Sequence, residues 1–372
     1  MHLRTWKFKL KNGKLAKELF QKWANDYRYA YNKSNWLKNE HTEFLSDYDT
    51  RDLITPKEIN NHIPWFLETP KDIRVGAVFE NCKNFKSAFT NLKNKHIKYF
   101  NMSYLKKRSK TFCLNIPGSA IKVSESRKSI QIYNSYTNSY WFKLSKLIPK
   151  ECINDKHYLL KEHKLYFNGD NYYLCLALER NVIEITNRKN LTAIDPGVRK
   201  LVTTWDISNK SYKFGENKSS QIKMLLKKRD LYQSRNNFKN FNRIEIRIKN
   251  LISELHHKTS AFLCKRYKNI ILPELDVRQL IKKVKNKEYR KVMLRMSICK
   301  FNELLKTKGI LYNTNIITEN VSEAYSSRMC SKCLFINKKC SHELKKCTKC
   351  LLEIDRDING AKNIYFMNKH LV

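Results

Sequence analysis

Four cysteines fall in two pairs near the end of the chain, Cys330-Ser331-Lys332-Cys333 and Cys347-Thr348-Lys349-Cys350. Two such hairpins bring four thiolates into tetrahedral reach of one Zn²⁺, which holds together a segment too small to build its own core. A redox dithiol is the other use of such pairs, and a disulfide fits poorly because nothing in the sequence suggests secretion. Cys340 and His342 lie between the pairs and could substitute for a ligand.

Carboxylates follow closely, in Asp355-Arg356-Asp357-Ile358-Asn359-Gly360-Ala361-Lys362-Asn363-Ile364. Asp355 lies where it could cap a helix and Asp357 within that helix's first turn, so either could be a cation ligand on geometry alone. Asn359 and Asn363, four apart, read as capping and a solvated polar face. Upstream, Asp195 ends the apolar run Leu191-Thr192-Ala193-Ile194 just before Pro196-Gly197, where local sequence alone favours a turn aspartate. A third acid is less plainly marked. Ile270-Ile271-Leu272 ends in Pro273-Glu274, but strand alternation points residue 274 away from the side that residue 273 faces. Glu323, in Ser322-Glu323-Ala324-Tyr325-Ser326-Ser327, ends the next expected strand and could reach across the space left by the proline. Acids at neighbouring strand ends and on a facing helix can hold two Mg²⁺ roughly 4 Å apart, one activating water and one stabilising the leaving oxygen of a phosphodiester.

The elements needed to place these acids can be read along the chain. Met1 to Lys11 alternates as a strand that Asn12-Gly13 ends, and from Lys14 a helical stripe of Leu15, Leu19, Trp23, Tyr27 and Tyr31 takes over. A second helix follows Pro70, and the basic loop Lys106-Lys107-Arg108 closes this helical region. Thr111 to Arg180 shifts toward period two with turns such as Asn168-Gly169, reading as a small barrel or sandwich that includes the first strand. From Leu191, a strand ending in Asp195 and a hairpin partner Leu201–Trp205 lead into one long basic helical stretch from about Ser219 to Tyr267. The buried strand Asn269–Pro273, a helix around Arg290 to Lys308, and a strand from Ile310 to about Ser322 follow. This order describes a ribonuclease-H-like α/β core with the cysteine segment inserted before its last helix.

Composition narrows the partners. The chain has 372 residues, with 74 Lys and Arg against 34 Asp and Glu, a net charge of +40, and aromatics at 12%. A charge excess of this size spread over the whole length implies an extended polyanion, bound with steep salt dependence. Interleaved Tyr, Phe and Trp suit stacking on unpaired bases. Nucleic acid is the expected ligand. No apolar stretch approaches membrane-spanning length and there is no signal peptide, so no membrane association is expected. Eleven cysteines fit a reducing compartment.

Asp195-Pro196-Gly197, the paired cysteines and Asp355–Ile364 resemble the TnpB and Fanzor nucleases, transposon-encoded relatives of type V CRISPR effectors. The likeness is firm from Leu191 to Phe366 and looser over the early helices and barrel, which look like recognition and wedge regions. Pro273-Glu274-Leu275 stands where TnpB usually carries Glu-Asp-Leu, and the displaced glutamate resembles the Fanzor branch, which favours Glu323 over Glu274. Leu334 and Leu351 replace the glycine that often follows each cysteine pair.

The resemblance implies an RNase H-like (RuvC) core with an inserted zinc ribbon, preceded by a small wedge β-barrel that carries an inserted helical recognition region. Expected boundaries are 1–12 for the first barrel strand, 13–110 recognition, 111–187 wedge, 188–325 RuvC core, 326–353 zinc ribbon and 354–372 last helix and C-terminus. It further implies an RNA-guided DNA endonuclease with one RuvC site. Asp195, Glu323 and Asp357 hold Mg²⁺, and Cys330, Cys333, Cys347 and Cys350 hold structural Zn²⁺. The partners are a transposon-encoded guide RNA and target double-stranded DNA, bound by a monomer inside the cell: in the nucleus for a eukaryotic or viral protein, in the cytoplasm for a bacterial one. The competing readings are an RNA-guided DNA-binding protein that has lost cleavage, and an unguided RuvC-like resolvase or transposase accessory protein.

Overall fold

The computed structural model describes residues 2–11, 14–40, 45–107, 111–150, 161–197, 200–274, 281, 286–337 and 343–372. Cys340, His342, Arg108 and the basic run Lys282–Lys285 lie outside the described residues. The chain forms two compact units, Met1–Asn181 and Val182–Val372.

In the first unit, β1 (His2–Lys11) leads into the long helix α1 (Lys14–Glu40). Three short helices follow, α2 (Asp47–Asp52), α3 (Lys57–Asn60) and α4 (Pro64–Leu67), and then α5 (Lys71–Lys93). Six strands complete the unit: β2 (Phe112–Pro117), β3 (Ile121–Val123), β4 (Ser129–Ile132), β5 (Phe142–Leu144), β6 (Glu162–Phe167) and β7 (Tyr172–Arg180). They form a seven-stranded antiparallel sheet in the order β2-β6-β7-β1-β5-β4-β3, so the N-terminal strand sits at its centre although the helices intervene in sequence. Alternation explains the placement: Phe8 and Leu10 are buried, while Lys7 and Lys9 face solvent. The α1 stripe supplies Phe20 and Trp23 to the same core, with Phe20 stacked on Phe142 at 5.1 Å.

The second unit opens with β8 (Lys189–Pro196), β9 (Val202–Asp206) and β10 (Ser211–Phe214). The basic stretch expected as one helix is two, α6 (Lys218–Ser234) and α7 (Phe238–Arg266). Asn236 turns the chain at φ +53°, and the Asn237 side chain accepts from the Asn240 N–H to start α7. After β11 (Tyr267–Ile271), the helix expected around 290–308 is likewise two, α8 (Lys287–Met296) and α9 (Ile298–Leu311), separated by Ser297 at φ +48°. The strand expected from Ile310 is shorter: Ile310 and Leu311 finish α9, and β12 covers only Asn315–Ile317. Gly309 permits the tight return, since a Cβ there would lie 2.8 Å from the Thr314 carbonyl oxygen and from Ile316.

The sheet order β10-β9-β8-β11-β12 joins an antiparallel hairpin meander to two parallel strands, the strand order of a ribonuclease-H-like core. A small hairpin, β13 (Leu344–Lys346) with β14 (Glu353–Asp355), runs directly into α10 (Arg356–Asn368). The sheet is covered on both faces. Ile194, Ile270 and Leu272 pack with Leu263 of α7 and Phe301 of α9. Leu191, Ala193, Trp205 and Ile271 pack with Ala361, Ile364 and Tyr365 of α10.

Candidate functional site

Residues 191, 193 and 195 share one face of β8, and Leu191 and Ala193 pack under α10, so alternation turns Asp195 toward that helix. The approach is close: a Cβ on Gly360 would clash with the Asp195 carboxylate. Burial, followed by the charges of Asp357 and Glu323, pushes the Asp195 carboxyl up to about 8, with Arg356 pulling the other way. A strand-end aspartate in a polar turn would show no such crowding. The structure therefore brings Asp195, Asp357 and Glu323 into one electrostatic cluster.

Asp355 and Asp357 divide their duties. Asp355 Oδ1 accepts the backbone N–H groups of Asp357 and Ile358 at 2.9 and 3.1 Å, capping α10, while Oδ2 takes Lys213 at 2.7 Å. Burial opposes the Asp355 charge, but Lys213 and the N–H groups outweigh it and hold its pKa below the ordinary value. Asp357 points into the cluster, with Lys200 Nζ 3.2 Å from its Oδ2. Of the two acids left open by the sequence, Asp357 is the one with oxygen to offer.

Around the third acid, Ile271 faces α10, so alternation carries on to Pro273 on the acid face and Glu274 on the other. The parallel pairing of Ile271 with Ala193 puts position 273 next to Asp195. Proline fills that position, and Glu274 is exposed. Glu323 stands at the exposed rim, and partial burial of its carboxyl raises its pKa.

The segment carrying Glu323 is fastened by residues that the sequence reading assigned to a solvated face. Asn359 and Asn363 are instead buried. Asn363 Nδ2 donates to the carbonyls of Ser326 and Met329, both at 2.7 Å, and Asn359 donates to the same two at 3.2 and 2.8 Å. Asn359 Oδ1 accepts the Ser331 N–H, inside the first cysteine pair, at 3.0 Å. One end lower, Asn368 accepts the Ser322 N–H at 2.7 Å and donates to the Ser322 carbonyl at 2.8 Å. The segment is also held by Lys345, a buried ammonium donating to the carbonyls of Arg328 and Met329 at 2.8 and 2.9 Å. A ladder of amides thus joins α10, the Glu323 segment and the cysteine cluster.

The four sulfur atoms lie within 4.8 Å of one another, with Cys330 to Cys350 at 3.5 Å and Cys333 to Cys347 at 3.6 Å. Bonds of about 2.3 Å to a tetrahedral Zn²⁺ require sulfurs at about this spacing, so the donor set fits the metal. The Cys350 N–H leads in lowering the Cys347 thiol to about 6, and the Lys332 N–H donates to Cys330 Sγ at 3.4 Å, so backbone dipoles favour thiolates. Both knuckles have the same turn, the residue after each pair adopting φ +60° at Leu334 and +57° at Leu351. The turns that the missing glycines put in question form without them.

The family model described as "Cas12f1-like, TNB domain" matches residues 299–364, spanning Glu323, the cysteine cluster and Asp357. The chain is 26% identical to "Putative transposase A625R" of Paramecium bursaria Chlorella virus 1 over 97% of this chain and 86% of that protein. It is 24% identical to "TnpB-like protein L79" of Acanthamoeba polyphaga mimivirus over 76% of this chain, spanning 55% of that longer relative. Among solved structures, the mini-RNA-guided endonuclease Cas_phi3 aligns with TM-score 0.46 at 9% identity, covering 98% of this chain and 92% of the other. The Cas12f1 chain of an sgRNA–target DNA complex aligns with TM-score 0.38 at 15% identity, covering 98% and 99%. The domain match over residues 299–364 and the similarity to viral TnpB-like and transposase proteins support a TnpB/Cas12f-type family for this chain.

Proposed function

We propose that this protein is an RNA-guided DNA endonuclease of the Fanzor-like branch, cutting phosphodiesters at a single site formed by Asp195, Glu323 and Asp357. The observation that carries the reading is the meeting of a strand-end acid, a loop acid and a helix acid from three distant parts of the sequence, crowded enough to raise Asp195 to about 8. Hard carboxylate oxygens on rigid elements suit Mg²⁺, and their mutual repulsion is what a divalent ion relieves. Bound there, Mg²⁺ would supply an activated water and charge stabilisation at the leaving oxygen. Asp195 and Asp357 would be the ligands from the sheet and helix, and Glu323 the ligand from the rim. Asp355 keeps the helix start in place, and the asparagine ladder keeps the Glu323 segment against it. The cysteine cluster would take structural Zn²⁺.

The guided part of the reading is supported by the similarity to TnpB-like proteins and by the +40 charge, which suits an RNA–DNA heteroduplex recognised by its backbone. The proline at position 273 favours a second reading, a guided DNA-binding protein without cleavage; Glu323 answers it by supplying the missing acid from another segment. The direct test is cleavage of guide-matched duplex DNA by the protein–RNA complex in Mg²⁺, with Asp195→Asn as control. Cleavage lost in the control supports the nuclease; matched-duplex binding with no cleavage by the wild type supports the second reading.

A further inference from the structure

Lys200 is a buried cation beside this acid cluster, its side chain 4% exposed. Its ammonium lies 3.2 Å from Asp357, 3.4 Å from Asp355 and 3.7 Å from Glu216. Asp355 does not need it, because Lys213 sits closer to the same oxygen at 2.7 Å. Glu216 is more than half exposed and already solvated. The strongest demand on Lys200 therefore comes from Asp357, an acid crowded by Asp195.

We propose that Lys200 is an internal counter-ion that holds Asp357 until a divalent ion displaces it, and so sets the metal affinity of the site. The proposal rests on the nuclease reading above. A divalent ion on Asp357 brings a second cation to one carboxylate, and repulsion at such range is large in a partly buried site. Lys200 can yield without being stranded, since Asp355 and Glu216 remain within 3.4 and 3.7 Å of its ammonium. Two consequences of opposite sign follow. The ammonium steadies the acid cluster of the metal-free protein, and it weakens the binding of the metal that replaces it. A side chain that merely positioned Asp357 would strengthen metal binding, and its loss would weaken it.

Mn²⁺ is the probe, its free concentration read by electron paramagnetic resonance during titration of nucleic-acid-free protein, with Asp195→Asn giving the background uptake. Lys200→Met should bind Mn²⁺ about fivefold tighter than wild type and melt at lower temperature without metal, the affinity change being the upper end of what an ordinary ion pair produces. Lys200→Arg, which keeps the charge, should keep the wild-type affinity. If the methionine variant does not fold, Lys200→Gln serves with the same expectation. Equal or weaker Mn²⁺ binding in a folded neutral variant overturns the counter-ion role alone. Wild type taking up no more Mn²⁺ than Asp195→Asn overturns both this and the metal-site reading.

Discussion

Asp357 and Asp355 are two residues apart, yet hydrogen bonding separates their roles: one carboxylate is filled by helix N–H groups and a lysine, while the other faces Asp195 and Lys200. Glu323 and Glu274 also differ, since the charge of Glu323 acts on Asp195 while Glu274 is exposed. Glu323→Gln should abolish DNA cleavage, exceeding the roughly 100-fold losses typical of outer-shell partners, while leaving duplex binding intact. Glu274→Gln should cut nearly as well as wild type; equal cleavage by both variants would contradict the assignment. The knuckle leucines are a separate matter. Leu334 and Leu351 are 65% and 67% exposed at positive φ, so their side chains contribute little packing to set against backbone strain of about 1–2 kcal/mol each. After the entropy that glycine loses on folding, Leu334→Gly should stabilise the protein by about 0.5–1 kcal/mol in denaturant unfolding. The cysteine pairs and the helix start at Asp355 could be read from spacing alone, because a metal cage and a helix cap are local, whereas the choice between Asp355 and Asp357 stayed open until their hydrogen bonds were seen. Lys200 could not: it is one basic residue among 74, and only the fold shows it buried among acids.

Between elements, two polar connections hold the second unit together. Asp206, buried at the end of β9, accepts Lys189 of β8 at 2.6 Å and Tyr267 of β11 at 2.7 Å, tying three adjacent strands. Burial opposes its charge, but these partners overcome it and keep its pKa below the ordinary value. A carboxyl depressed in the folded state contributes stability above its unfolded value of 3.8 and loses that contribution as pH falls through the lower folded value. Asp206→Asn should therefore cost about 2 kcal/mol at neutral pH and much less in acid, which urea unfolding at both pH values would measure. The second connection is the asparagine ladder. Asn363→Ala removes the shorter of the two amide bonds to each of the Ser326 and Met329 carbonyls and loosens the Glu323 segment, and cleavage should fall by roughly 10–100-fold with zinc content unchanged. Most helices and strands were legible because their apolar periodicity is strong. The breaks at Asn236 and Ser297 were not, for neither glycine nor proline marks them. The ladder was hidden because an amide's partners lie some thirty residues away in sequence, leaving a buried polar face indistinguishable from a solvated one.

For the whole molecule, a charge of +40 and a lysine-bearing sheet face, with Lys7 resting over Tyr166 and Tyr173, point to phosphate contacts in number. Six to ten such contacts should weaken nucleic-acid binding by roughly 10³–10⁵-fold between 50 and 200 mM salt. Charge points to a polyanion from composition alone, but not to which one, since the backbone of RNA and DNA carries the same charge. The proposed function requires one discrete RNA to direct this protein to DNA. Expressing the chain together with its native downstream flanking DNA and sequencing the RNA that co-purifies tests it directly. The account predicts a single RNA species with a constant body and a variable end; a heterogeneous sample of host transcripts would contradict the guided reading and leave an unguided nuclease.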